Sequence, residues 1–67
     1  MPTTYTIEEQ IRCVEREISY RTAVYPYRVV AGKMTEGTKD KEIALMEAVL
    51  ATLKKVQYDE NANPFDF

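Results

Sequence analysis

Few side chains in this sequence are of the types that carry out catalysis. Histidine, the most frequent general acid and base, is absent from all 67 residues. Three glutamates, Glu15, Glu17 and Glu47, could in principle act as paired carboxylates. Each of them lies in a predicted helix with basic neighbours, which is typical of a solvated helix face. We therefore predict that the chain has no catalytic residues and is not an enzyme.

Cys13 is the one cysteine of the chain, so it cannot form an internal disulfide. Without histidine or a second thiol, a structural zinc site lacks a credible set of ligands. Cys13 lies beside an apolar stripe, two turns into a predicted helix, where we expect a small buried side chain rather than a reactive thiol. Gly32 and Gly37 are too far apart to form a phosphate-binding loop. We predict no metal site and no cofactor.

Tyrosine and arginine cluster around Pro26 in the middle of the chain. Both residue types are enriched at the binding hot spots of protein interfaces. The alternative is that the rings pack around the turn between two helices, with their hydroxyls at the boundary with water. A C-terminal tail that folds back would extend the cluster with two further rings. The predicted partner-binding side chains are Tyr20, Tyr27, Arg28, Met34, Phe65 and Phe67.

Two predicted helices position these side chains. The first begins at Thr6, which forms a capping box with Glu9 three residues later. Apolar side chains then recur at spacings of four, three and four residues, which keeps them on one helix face: Ile7, Ile11, Val14 and Ile18. Acid-before-base pairs four residues apart add support to the helix: Glu8 with Arg12 and Glu17 with Arg21.

Pro26 interrupts this pattern, because proline has no N–H to donate to the preceding turn and its ring crowds that turn. The first helix either stops near Tyr25 or is kinked at Pro26 and continues. We favour the kink, because apolar residues continue beyond it and Gly32 is placed to end the helix in the left-handed conformation. The predicted first helix spans about residues 7–31.

The second predicted helix begins after Thr35, a candidate N-cap, and spans about residues 36–57. Its central stretch is rich in alanine, leucine and methionine, which favour helix over strand. An acidic and aromatic tail, residues 58–67, follows it. A linker of about four residues implies that the helices are antiparallel neighbours. We predict an all-α fold, a two-helix antiparallel hairpin that forms a single domain over residues 1–67.

The second helix carries more apolar surface than one neighbouring helix can cover. One stripe contains Ile43, Met46, Leu50 and Leu53, and a second contains Leu45, Val49 and Val56. Because a chain this short is only marginally stable alone, we predict a homodimer in which two hairpins form a four-helix bundle. A monomer with some exposed apolar surface is the alternative. The predicted core and dimer residues are Ile11, Val14, Ile18, Ile43, Met46, Val49, Leu50 and Leu53.

The charge balance argues against a nucleic-acid partner. Nine basic and eleven acidic residues give a net charge of -2, whereas binding to phosphates requires a basic surface. The sequence does not open with a basic segment followed by an apolar one, and no apolar run reaches the roughly 18 residues of a membrane span. We expect a cytoplasmic protein with no membrane contact.

Several segments resemble those of short uncharacterised helical-hairpin proteins of bacteriophages and prophages. These segments lie within roughly Ile7 to Leu53 and are Glu15-Arg16-Glu17-Ile18, Val24-Tyr25-Pro26, Val29, Gly32-Lys33-Met34-Thr35 and Lys41-Glu42-Ile43-Ala44-Leu45-Met46-Glu47-Ala48. The segment Thr35-Glu36-Gly37-Thr38 departs from the pattern, in which more helix-favouring residues are expected. The resemblance implies an origin, and small phage proteins of this kind often bind one host protein and inhibit or redirect it.

From this resemblance we hypothesise that the chain binds and inhibits a host protein, for example a transcription or quorum-sensing regulator or a defence factor. The alternative is a structural or accessory phage component that has no host target. A small DNA-binding regulator is a third, weaker interpretation. The expected partners are a second copy of the chain and a protein of the host cell, in whose cytoplasm both would lie.

Overall fold

The computed structural model describes residues 4–61, which form two α-helices joined by a short turn. Helix α1 spans Ile7–Val30 and helix α2 spans Glu36–Asn61, and no strand occurs in this part of the chain. The helices are antiparallel neighbours, because Arg21 of α1 contacts Glu42 of α2 and Glu15 lies close to Lys54, further from the turn on both helices. The predicted all-α helical hairpin is therefore confirmed.

Helix α1 begins with the predicted capping box. The backbone N–H of Glu9 donates to the Thr6 hydroxyl at 3.1 Å, and the backbone N–H of Thr6 donates to the Glu9 carboxylate at 3.3 Å. These bonds satisfy two donors that the first turn of a helix would otherwise leave to water. The helix start is thus fixed by two side chains that are three residues apart in sequence.

Helix α1 continues through Pro26 and ends at Val30, so the interpretation in which it stops near Tyr25 is wrong. The bend expected at Pro26 stays a prediction. The helix is closed by Gly32, which has a φ of +74°. The backbone N–H of Gly32 donates to the Val29 carbonyl and that of Lys33 to the Arg28 carbonyl, at 3.0 and 2.9 Å. This pair of bonds is a Schellman motif, in which glycine adopts the left-handed conformation without steric cost.

Helix α2 begins as predicted after Thr35, whose hydroxyl accepts from the backbone N–H of Thr38 at 3.1 Å. It ends at Asn61, about four residues beyond the predicted end. The acidic residues Asp59 and Glu60 oppose the negative end of the helix dipole, which favoured an earlier end. None of these residues blocks helix propagation, however, and each added residue contributes one further backbone bond.

The contact between the helices is a narrow apolar seam. Ile11 is the one buried residue within residues 4–60, with 7% of its surface exposed. Apolar side chains on both helices are half-buried around it: Ile7, Val14, Ile18, Val24, Val29, Ile43, Met46, Leu50 and Leu53. Seven of the eight predicted core and dimer residues belong to this seam, and the eighth, Val49, is exposed.

Neither helix of the described chain contains an apolar stretch long enough to cross a bilayer.

Candidate protein-binding surface

A cluster of two tyrosines and two arginines lies on α1 near the turn. Its members are Tyr20, Arg21, Tyr25 and Arg28, and we refer to them as the tyrosine–arginine cluster. The guanidinium carbon atoms of Arg28 and Arg21 lie 5.3 and 5.7 Å from the centroid of the Tyr25 ring. Arg28 also donates from Nη2 to the Tyr20 hydroxyl at 3.4 Å. Both guanidinium groups thus lie within cation–π distance of the Tyr25 ring, and that of Arg28 also contacts Tyr20.

Arg21 anchors this cluster to the second helix. Its Nε atom donates to the Glu17 carboxylate at 3.0 Å, and its Nη1 atom donates to the backbone carbonyl of Glu42 at 3.0 Å. The same Nη1 atom lies 3.6 Å from the Glu42 carboxylate. The hydrogen bond with Glu17 raises the pKa of the Arg21 guanidinium above its ordinary value.

The predicted partner-binding residues on α1 share one region of the surface. Tyr20 and Arg28 are joined by the hydrogen bond within the cluster, and both are exposed. Tyr27 follows Tyr20 by seven residues, which places the two rings on the same side of the helix. Tyr27 is 76% exposed, and Val30 beyond it is 88% exposed. The end of α1 therefore presents aromatic and apolar side chains to water beside a fixed guanidinium.

The other predicted partner-binding residues are not part of this group. Met34 is half-buried in the turn between the helices. Phe65 and Phe67 lie outside the described residues.

Sequence reasoning placed Cys13 wrongly. The thiol is exposed and not buried, because Cys13 follows Ile11 by two residues and thus points about 200° away from the side chain at the centre of the seam. It lines an open groove on one side of the hairpin. The groove is formed by Cys13, Val14 and Arg16 of α1 together with Val49 and Leu53 of α2.

The second apolar stripe of α2 is left uncovered by α1. Leu45, Val49 and Val56 are 49%, 43% and 41% exposed. Since Val49 also lines the groove, the stripe begins where the contact with α1 ends. The expectation that one helix covers only one of the two stripes is confirmed.

This surface offers side chains for noncovalent contact. Within residues 4–61 no group of three histidine, cysteine, aspartate or glutamate side chains is arranged to hold a metal ion. The tyrosine–arginine cluster supplies aromatic faces, hydroxyls and a cation, and the α2 stripe supplies aliphatic surface. Comparisons of the chain with protein-family models, with curated proteins and with solved structures find no match.

Proposed function

We propose that this chain is a small protein–protein interaction module that binds a host protein and inhibits it. The observation that carries this proposal is the exposed part of the tyrosine–arginine cluster, Tyr20 and Arg28, with Tyr27 beside it. Arg28 is held over Tyr25 and bonded to Tyr20, so its guanidinium loses little freedom when a partner binds. Tyr27 offers a large ring that is 76% exposed. Preordered arginine and exposed tyrosine are the side chains that dominate binding energy at protein interfaces.

The class of target follows from the resemblance to short phage proteins. Small helical phage proteins are known as inhibitors of host transcription regulators, quorum-sensing regulators among them, and of antiviral nucleases, and by analogy we propose a target of one of these classes. An inhibitor that acts by contact needs no catalytic residue, cofactor or metal, and we propose none. We also propose that the module acts as a homodimer in the host cytoplasm, since the α2 stripe offers a surface for a second copy.

A structural or accessory phage component is the second candidate function. The uncovered α2 stripe favours it, because an assembling protein would cover that stripe with neighbouring subunits. A DNA-binding regulator is a weaker candidate, since the net charge is -2. Salt dependence separates this last candidate from the others, because binding through phosphate contacts falls steeply as the salt concentration rises.

The test is affinity capture of the tagged chain from a bacterial host lysate, with mass spectrometry of the proteins that co-elute. One host protein recovered in near-equal amount would identify the target. We expect Tyr27→Ala and Arg28→Ala each to weaken its binding by about tenfold or more, because each truncates a predicted hot spot. Lys55→Ala, which changes an exposed side chain of α2, is the control and should bind like the wild type.

Three results would contradict the proposal. Binding of the target that is unchanged in both Tyr27→Ala and Arg28→Ala would remove the tyrosine–arginine cluster from the interface. Recovery of the chain alone would favour the assembly function for that host. Far-UV circular dichroism on each variant shows whether a loss of binding reflects a loss of helix, which would also remove the support for the cluster as a binding site.

A further inference from the structure

The uncovered stripe of α2 has the spacing of a helix–helix seam. Leu45, Val49 and Val56 are joined on the same side of α2 by Thr52, so that the four residues follow one another at intervals of four, three and four. The Thr52 hydroxyl donates to the backbone carbonyl of Ala48 at 3.1 Å. Because that hydroxyl is already satisfied by its own helix, Thr52 can pack in an apolar seam without an unpaired polar group.

This spacing is the same when it is read in either direction. A second copy of α2 that runs antiparallel can therefore align the whole stripe with itself. Leu45 then lies opposite Val56 of the partner subunit, and Val49 lies opposite Thr52 of the partner subunit. The two-fold axis passes between Leu50 and Ala51. A parallel copy would instead place two Thr52 side chains opposite each other.

We propose that a second copy of this chain docks on the α2 stripe in this antiparallel register. The proposal deepens the homodimer of the proposed function by naming its interface. Helix α1 packs against a neighbouring side of α2, and Val49 of the stripe also lines the groove beside that contact. Two hairpins joined through α2 thus place four helices around one apolar centre, which is the arrangement of a four-helix bundle.

Charges beside the stripe match the antiparallel register. Lys41 and Asp59 are 18 residues apart, which is five helical turns, so both lie on the same flank. In the dimer, Lys41 approaches Asp59 of the partner subunit, and the two-fold axis makes this pair twice. Neither side chain forms an ion pair within residues 4–61, so both are available to a second chain. In a parallel dimer opposite flanks meet instead, so Lys41 would face Glu42 of the partner subunit and Asp59 would face Glu60 of the partner subunit.

The other flank carries a like-charge approach, between Glu42 and Glu60 of the partner subunit. Glu42 is already compensated within its own chain, since its carboxylate lies 3.6 Å from the Arg21 guanidinium. A like-charge approach at the solvent-exposed edge of the interface costs little free energy compared with the stabilisation that burial of the apolar seam contributes. In a parallel dimer the like-charge approach would instead be between Asp59 and Glu60 of the partner subunit, and neither forms an ion pair within residues 4–61, so the balance of the two flanks favours the antiparallel register.

Disulfide trapping tests this register directly. Two chains are made in a Cys13→Ser background, one with Leu45→Cys and one with Val56→Cys. In the proposed dimer the two sites face each other across the seam, whereas two copies of the same site are about 16 Å apart along the axis, beyond the reach of a disulfide. We expect a covalent dimer when the two chains are mixed and none from either chain alone. Covalent dimers of either chain alone, or none in the mixture, would overturn the register.

Sedimentation equilibrium tests whether the stripe is the interface. We expect Val49→Glu to raise the dimer dissociation constant by about 100-fold or more, since each of the two chains then places an unpaired carboxylate in the buried seam. Ala51→Glu is the matched control, because Ala51 is exposed and lies about 200° round the helix from Val49. A wild-type chain that stays monomeric at high micromolar concentration, or a Val49→Glu dimer as tight as the wild type, would overturn the proposal.

Two sets of variants distinguish the proposed dimer interface from the proposed function. Val49→Glu and the disulfide pairs report on self-association without any other protein present. Tyr27→Ala and Arg28→Ala report on the capture of a target, and neither residue belongs to the α2 stripe. If the chain does not dimerise, affinity capture still tests target binding. If capture finds no target, sedimentation equilibrium still tests the dimer.

Discussion

Arg21 joins the two helices through polar contacts. It interrupts the apolar face of α1, yet it is half-buried because it reaches across to α2. One guanidinium there serves Glu17 on its own helix and both the carbonyl and the carboxylate of Glu42 on the other. Arginine suits this position because its planar fork can donate to several acceptors at once.

We predict that Arg21→Ala lowers the Tm by about 5 °C, because it removes the polar contacts between the helices and one cation from the Tyr25 ring. Thermal unfolding followed by far-UV circular dichroism measures the change. Arg12→Ala is the control, since Arg12 is exposed and forms no ion pair in the described part of the chain. A Tm for Arg21→Ala equal to that of Arg12→Ala would show that the contact with α2 does not stabilise the hairpin.

Residue contacts could be predicted only where they are local in sequence. The pair Glu17–Arg21 follows from the four-residue spacing and is present at 3.0 Å, whereas the other predicted pair, Glu8 with Arg12, is not an ion pair in the described chain. The contact of Arg21 with Glu42 depends on the register of one helix against the other, which no local spacing specifies. Cys13 was wrongly predicted to be buried for a related reason. A position beside an apolar stripe does not specify whether the side chain faces the partner helix or solvent.

At the scale of the elements, the two glycines occupy different backbone conformations. Gly32 ends α1 with a φ of +74°, whereas Gly37 lies in the first turn of α2. A Cβ atom at either position would meet no atom within 4 Å. The two sites thus differ in backbone conformation alone, and the effect of a methyl group at each follows from that difference.

Alanine at these two positions is predicted to change stability in opposite directions. Gly32→Ala should lower the free energy of unfolding by about 1 kcal/mol, because the left-handed conformation is strained for a residue with a Cβ atom. Gly37→Ala should raise it by about 0.5–1 kcal/mol, because alanine loses less backbone entropy in a helix. Urea denaturation measures both values. The same sign for both variants would contradict this account of the two backbone sites.

The helix ends show which parts of an element are encoded locally. The capping box of Thr6 and Glu9, the N-cap of Thr35 and the closing glycine at Gly32 each act within a few residues, and the structure confirms all three. The end of α2 was predicted too early, because the change to polar residues at Tyr58 does not by itself stop a helix. Residues that stop a helix can be recognised in the sequence. Residues that only weaken a helix compete with its propagation and do not by themselves set where it ends.

At the scale of the whole molecule, the hairpin has very little interior. Ile11 is the one buried residue of the described chain, and the other apolar residues of the seam are half-buried. A short chain with so small a core has little stability to spare, and the uncovered α2 stripe is apolar surface that it can still bury. Folding and association of this chain should therefore be coupled.

This coupling predicts that thermal unfolding of the wild-type chain depends on its concentration. Mass action favours a folded dimer by about 1.4 kcal/mol for each tenfold increase in concentration, so the Tm should rise by several degrees over a roughly hundredfold range. Circular dichroism in cells of different path length covers that range. Val49→Glu should abolish the dependence and Ala51→Glu should keep it, because only the first places a charge in the stripe. A Tm that is equal at both ends of the range would mean that the seam around Ile11 stabilises each hairpin on its own.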